Sequence, residues 1–83
     1  MQYQQRMRDL RDDANKNQTE IAQILKTTQS YYAQYENGKR EMPFSRAIEL
    51  AKYYNVSLDY IAGLIDTPKT LDGKPYHIHK LKS

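Results

Sequence analysis

Along the body of the chain, apolar residues recur at helical and not at strand spacing. Tyr3, Met7, Leu10 and Ala14 fall at i, i+4, i+7 and i+11, one stripe of an amphipathic helix. Asn15 suits its end, because asparagine tolerates the left-handed backbone that terminates helices. Asn17 offers an N-cap, and Glu20 three residues later completes a capping box. A second helix is therefore predicted from about Gln18 to Leu25, with Ile21, Ala22 and Leu25 inward. Lys26-Thr27 leaves room only for a tight turn. Thr28 then caps a third helix, roughly Gln29 to Glu36, which Asn37-Gly38 ends.

Pro43 marks a new start, since proline suits a first helical turn and not a helix interior. Phe44, Ala47, Ile48, Ala51 and Tyr54 follow at helical spacing. Ser57 caps a last short helix carrying Leu58, Ile61 and Leu64, with Gly63 near its end. The expected architecture is all-α, a bundle of five short helices over residues 1–66. Beyond it the pattern dissolves into Thr-Pro-Lys-Thr-Leu-Asp-Gly-Lys-Pro, and residues 67–83 are expected to be a flexible tail. The alternative is a small hairpin turning at Leu71-Asp72-Gly73-Lys74, although Pro75 weakens its second arm.

Charge sharpens this division. Residues 1–66 hold nine basic and nine acidic side chains, so the body is neutral. Lys69, Lys74, Lys80 and Lys82 against Asp72 give the tail the whole net charge of +3. Any binding of nucleic acid by the body must then rely on placed groups and not on bulk charge. With no cysteine, disulfide scaffolds and thiolate metal sites are excluded. The longest apolar stretch, Tyr60–Ile65, is far short of a membrane span, and the N-terminus reads as no secretion signal, so a cytoplasmic protein is expected.

The informative segment is Gln18 to Arg40: two helices joined by a short turn, the spacing of a helix-turn-helix, with the small Ala22 allowing a close crossing. Its wording is more specific than its spacing. Asn17-Gln18-Thr19-Glu20-Ile21-Ala22, Thr27-Thr28-Gln29-Ser30 and Tyr35-Glu36-Asn37-Gly38-Lys39-Arg40 resemble the phage repressor and Cro family, the XRE-type helix-turn-helix proteins. Leu10-Arg11, Ile48-Glu49-Leu50-Ala51 and Asn55-Val56-Ser57-Leu58-Asp59-Tyr60 fit the same pattern, and the resemblance runs from about Met7 to Gly63.

That resemblance implies a lambda-repressor-like fold and a transcriptional regulator, of repressor type, that binds a double-stranded DNA operator as a homodimer. The helix starting at Gln29 takes the place of the recognition helix, with Gln29, Ser30 and Gln34 at base-facing positions and Ala33 available to a thymine methyl. A glutamine amide both donates and accepts, which suits adenine. Ser30 has a second possible role, reinforcing the Thr28 cap. Gln18 resembles a phosphate contact that also steadies the first recognition glutamine. Asn37, Gly38, Lys39 and Arg40 resemble a loop that meets the DNA backbone, and Lys26 and Tyr31 join them as phosphate-side candidates. Arg11 and Glu36 match a partly buried salt bridge that orients the end of the recognition helix. Two features depart from the pattern. Lys26 stands where a glycine is usual, and Tyr31, Tyr32 and Tyr35 are unusually aromatic, with Tyr32 and Tyr35 predicted to face the core.

No catalytic constellation appears, so no enzyme and no cofactor are expected. His77 and His79 form a His-x-His without further ligands, and no metal site is read there. Leu58, Ile61, Leu64 and Ile65 exceed what so small a core needs and form the candidate dimer interface. The competing reading is an interaction module, such as an antitoxin, that takes a protein partner and binds DNA secondarily.

Overall fold

A computed structural model describes residues 3–76 of the chain. It contains α1 (Tyr3–Asp13), α2 (Gln18–Ile24), α3 (Gln29–Glu36), α4 (Phe44–Tyr54) and α5 (Leu58–Ala62). Local chemistry sets most boundaries. Asn15 closes α1 in the left-handed conformation at φ 58°. The Asn17 side chain accepts the Glu20 amide at 2.8 Å while the Glu20 carboxylate accepts the Asn17 amide at 3.0 Å, a complete capping box. Thr28 and Ser57 cap α3 and α5 in the same manner, each accepting an amide three residues on. Pro43 serves as the N-cap residue of α4, one position before the expected first turn.

These helices enclose a core of Met7, Leu10, Ile21, Ala22, Tyr32, Tyr35, Leu50, Ala51, Val56 and Ile61, with Leu25, Tyr54 and Tyr60 at its margin. Ala22 is buried where α2 meets α3, the pair of helices in most extensive contact. Arg6 ties the two ends of the bundle together. Its guanidinium donates to the carbonyl oxygens of Tyr60 and Ile65, pairs with Asp66, and lies 4.2 Å from the centre of the Tyr60 ring.

Three expectations need correction. Phe44 is 69% exposed, because the inward edge of α4 runs through Leu50, Ala51 and Tyr54 and leaves its first residue beyond the core. Leu64 lies past the Gly63 cap of α5 and is 75% exposed. Residues 67–76 adopt the hairpin alternative and not a free tail: Lys69 and Pro75 form an antiparallel bridge around the Leu71-Asp72-Gly73 turn. The Ser57 amide donates to the Lys69 carbonyl at 2.7 Å, and Tyr76 packs against the core, so the turn is fastened to the bundle. Lys80, Lys82, His77 and His79 lie outside the described residues.

Candidate nucleic-acid interface

The turn between α2 and α3 decides how α3 is presented. Lys26 adopts φ 60°, the conformation for which glycine is the cheaper choice. The Thr27 amide donates to the Ala22 carbonyl at 2.9 Å, and the Arg46 guanidinium donates to the Leu25 carbonyl at 3.2 Å. Both serve carbonyls at the end of α2 that have no helical partner. Buried Tyr32 and Tyr35 then fix α3 against the core, leaving Gln29, Ser30 and Tyr31 exposed and Ala33 and Gln34 half-buried.

Glu36 is the anchor of this surface. Only 1% exposed, its carboxylate accepts four side-chain hydrogen bonds: Arg11 Nε at 2.7 Å, Arg11 Nη2 at 3.1 Å, Tyr32 Oη at 2.6 Å and Gln18 Nε2 at 3.0 Å. Burial alone pushes a carboxyl pKa up, but the hydrogen bonds from Arg11, Tyr32 and Gln18 outweigh it, and Glu36 is held below the usual carboxylate value. Burial, reinforced by the same carboxylate, pushes the Tyr32 phenol far up. Arg8, which the sequence pattern did not single out, adds an Nη2 donor to the Glu36 main-chain carbonyl at 2.7 Å and approaches its carboxylate at 3.8 Å.

A carboxylate only accepts, so it fixes the orientation of each amide linked to it. Gln18 must turn its NH2 toward Glu36, which leaves its carbonyl oxygen outward. Gln29 therefore turns its own NH2 to that oxygen, at 2.7 Å. What Gln29 presents to solvent is its carbonyl oxygen together with its second N–H. That acceptor–donor pair matches N6–H and N7 of adenine in the major groove.

The far end of α3 has a second cluster. Asn37 caps the helix, and Gly38 follows at φ 76°, a left-handed position that lets the Lys39 and Arg40 amides both turn back to the Gln34 carbonyl at 2.9 and 3.2 Å. Arg40 then folds over α3, its guanidinium 4.5 Å from the centre of the Tyr31 ring and its Nε donating to Gln34 Oε1 at 3.3 Å. Asn37, Gly38 and Lys39 are exposed beside it, and exposed Lys26 lies in the turn at the opposite end of α3.

Of the four apolar interface candidates, Leu58, Ile61 and Leu64 line one surface groove, and Ile65 packs against the core. Ile61 belongs to the core at 3% exposure, because α5 packs it inward, while Leu58 and Ile65 are partly buried and Leu64 projects. Exposed Phe44 and Leu64 border this groove, of about 420 Å³, which they share with Tyr3, Met42, Ala47, Leu58 and Ile61. Among the described residues no cluster of His, Asp and Glu could hold a metal ion, and no helix is long and apolar enough to cross a membrane.

A family model for the helix-turn-helix matches residues 7–61, from the middle of α1 into α5. The chain belongs to the XRE-type helix-turn-helix family. It is 36% identical over 66 residues to the Bacillus subtilis protein YobD, described as an uncharacterized HTH-type transcriptional regulator. That alignment takes in 80% of this chain and 59% of YobD, so the chain spans about three-fifths of its relative's length. No solved structure shows significant similarity to the chain.

Proposed function

We propose that the protein is a sequence-specific regulator of transcription, of repressor type, that reads double-stranded DNA with α3 in the major groove. The observation that carries this reading is the chain of hydrogen bonds from buried Glu36 through Gln18 to exposed Gln29. Such a chain fixes one polar side chain before any ligand arrives, as a surface that discriminates between ligands requires. Gln29, Ser30, Ala33 and Gln34 meet the base edges. Gln18, Lys26, Tyr31, Asn37, Gly38, Lys39 and Arg40 border the phosphates, where main-chain N–H groups and cations supply sequence-independent affinity. The family match and the similarity to a transcriptional regulator support the same reading.

One recognition helix spans only a few base pairs, so the operator holds two half-sites about 34–36 Å apart, bound by a homodimer. The groove bordered by Phe44, Leu58 and Leu64 is its seam. Competitive titration against a genomic DNA library tests the function: a subset of sequences outcompetes random DNA at moderate salt. Lys39→Ala lowers affinity for all sequences alike and reduces the salt slope by about 1. If no sequence outcompetes random DNA, the proposal fails. Light scattering tests the seam, with Leu64→Asp expected to yield monomers.

The apolar groove also supports a second reading, a protein-interaction module that covers Phe44 and Leu64 with a partner chain. Co-purification of a stoichiometric partner from the native host, with no dimer in its absence, favours it.

A further inference from the structure

Gln34 and Gln29 lie on one helix, yet their neighbours impose opposite orientations. An arginine guanidinium carries only donors, so the side-chain amide it binds must turn its oxygen inward. Arg40 Nε donates to Gln34 Oε1 at 3.3 Å, which leaves the Gln34 NH2 as the outward group. Two contacts of its own and one behind them fix Arg40 in this position. Its main-chain N–H is bonded to the Gln34 carbonyl, its guanidinium lies against the Tyr31 ring, and that ring meets buried Tyr35 edge-on at 5.7 Å. The guanidinium is therefore engaged within the protein and is not simply a cation held out toward phosphate.

Building on the DNA-reading function proposed above, we infer that Arg40 is a specificity-determining positioning residue: it locks Gln34 as a donor, so that Gln34 selects a base edge rich in acceptors. Guanine, with N7 and O6, fits such a donor best, and thymine offers O4. Adenine fits poorly, because its N6 amine faces the Gln34 NH2 donor to donor. Gln29, anchored through Gln18 to a carboxylate, presents an acceptor beside a donor and selects adenine. Each half-site thus holds one base pair chosen by an amide oxygen and another chosen by an amide NH2. Tyr31 takes part as the platform under Arg40.

The test is selection from randomised duplex DNA with the full chain, comparing the natural protein with Gln34→Ala, Gln29→Ala and Arg40→Met. Methionine keeps an apolar body over Tyr31 but offers no donor. Gln34→Ala identifies the base pair read by Gln34, where the natural protein prefers guanine or thymine over adenine by roughly tenfold. Arg40→Met frees the amide to turn, and that preference falls to about twofold or less while the Gln29 base pair keeps its own. The general loss of affinity from removing a cation is read separately, from the salt slope. An adenine preference at the Gln34 base pair, no effect of Gln34→Ala on any preference, or an unchanged preference in Arg40→Met would each overturn the inference. All three leave the DNA-reading function standing, provided the Gln29 base pair is still selected. Absence of selection at every position defeats that function itself.

Discussion

Replacing Glu36 by glutamine is the most searching perturbation of the anchor. The two side chains have nearly the same shape, so the effect is electrostatic and directional. One carboxylate oxygen becomes an NH2. In the place of Oε2 it faces the Arg11 Nε donor and the Tyr32 hydroxyl; in the place of Oε1 it faces Arg11 Nη2 and Gln18. The second arrangement costs less, because it keeps an oxygen for the two shortest bonds, from Arg11 Nε at 2.7 Å and Tyr32 Oη at 2.6 Å, and because Gln18 can rotate its amide and offer an oxygen. Arg11 still loses the charge opposite it. Removing one partner of a buried ion pair costs about 3–5 kcal/mol. Arg11 is 18% exposed and keeps a bond to the Lys16 carbonyl, which places the expected loss near the low end, about 3 kcal/mol. For a domain of this size each kcal/mol corresponds to about 4–8 °C, so the melting temperature falls by roughly 12–24 °C. Urea denaturation of Glu36→Gln, Arg11→Met and the double variant measures the coupling directly.

The same rotation reaches the DNA surface. With Gln18 turned over, its NH2 faces Gln29, and Gln29 must turn its oxygen inward. Measured below its lowered melting temperature, Glu36→Gln is then predicted to exchange the adenine preference of the Gln29 base pair for a guanine or thymine preference. A destabilisation under about 1 kcal/mol, or an unaltered preference at that base pair, refutes the anchoring role assigned to Glu36.

Other consequences are simpler. Among the described residues the Tyr54 hydroxyl is buried without a hydrogen-bond partner, so Tyr54→Phe is neutral or stabilises by up to about 1 kcal/mol in denaturant titration. Lys26→Gly relieves a left-handed residue and raises stability by up to about 1 kcal/mol; if Lys26 also meets phosphate, the variant binds all DNA sequences more weakly. Glu36 has a folded pKa below its ordinary value of 4.5, so its stabilising contribution is complete above that pH. It is lost as pH falls through the lower folded value, and Arg11→Met, lacking the partner, shows a shallower acid limb of stability.

Features governed by neighbours three or four residues away were legible in the sequence. The Asn17–Glu20 box, the Thr28 and Ser57 caps and the left-handed Asn15 are of this kind. The inward direction of Tyr32 and Tyr35 followed from helical period alone. Phe44 shows the limit of that method, since a stripe of correct period does not say how far the core extends along a helix. The turn at residues 69–75 was obscured for another reason: its fastening to Ser57 and the packing of Tyr76 depend on tertiary neighbours, whereas its composition resembles free chain. In the candidate site, the residue types at Gln18, Gln29 and Gln34 were visible, but the direction of each amide was not. Direction follows from what lies behind each one, a carboxylate for Gln29 and a guanidinium for Gln34, and only the fold brings those groups into reach.

The central claim is that α3 reads bases through an amide held in one orientation from within. Its most direct measurement is selection from a randomised duplex library by the natural chain and by Gln29→Ala in parallel. The expected result is a defined half-site in which Gln29→Ala abolishes an adenine preference at a single base pair and leaves the others intact. A uniform loss of affinity at unchanged selectivity, or no selected sequence with the natural chain, would contradict it.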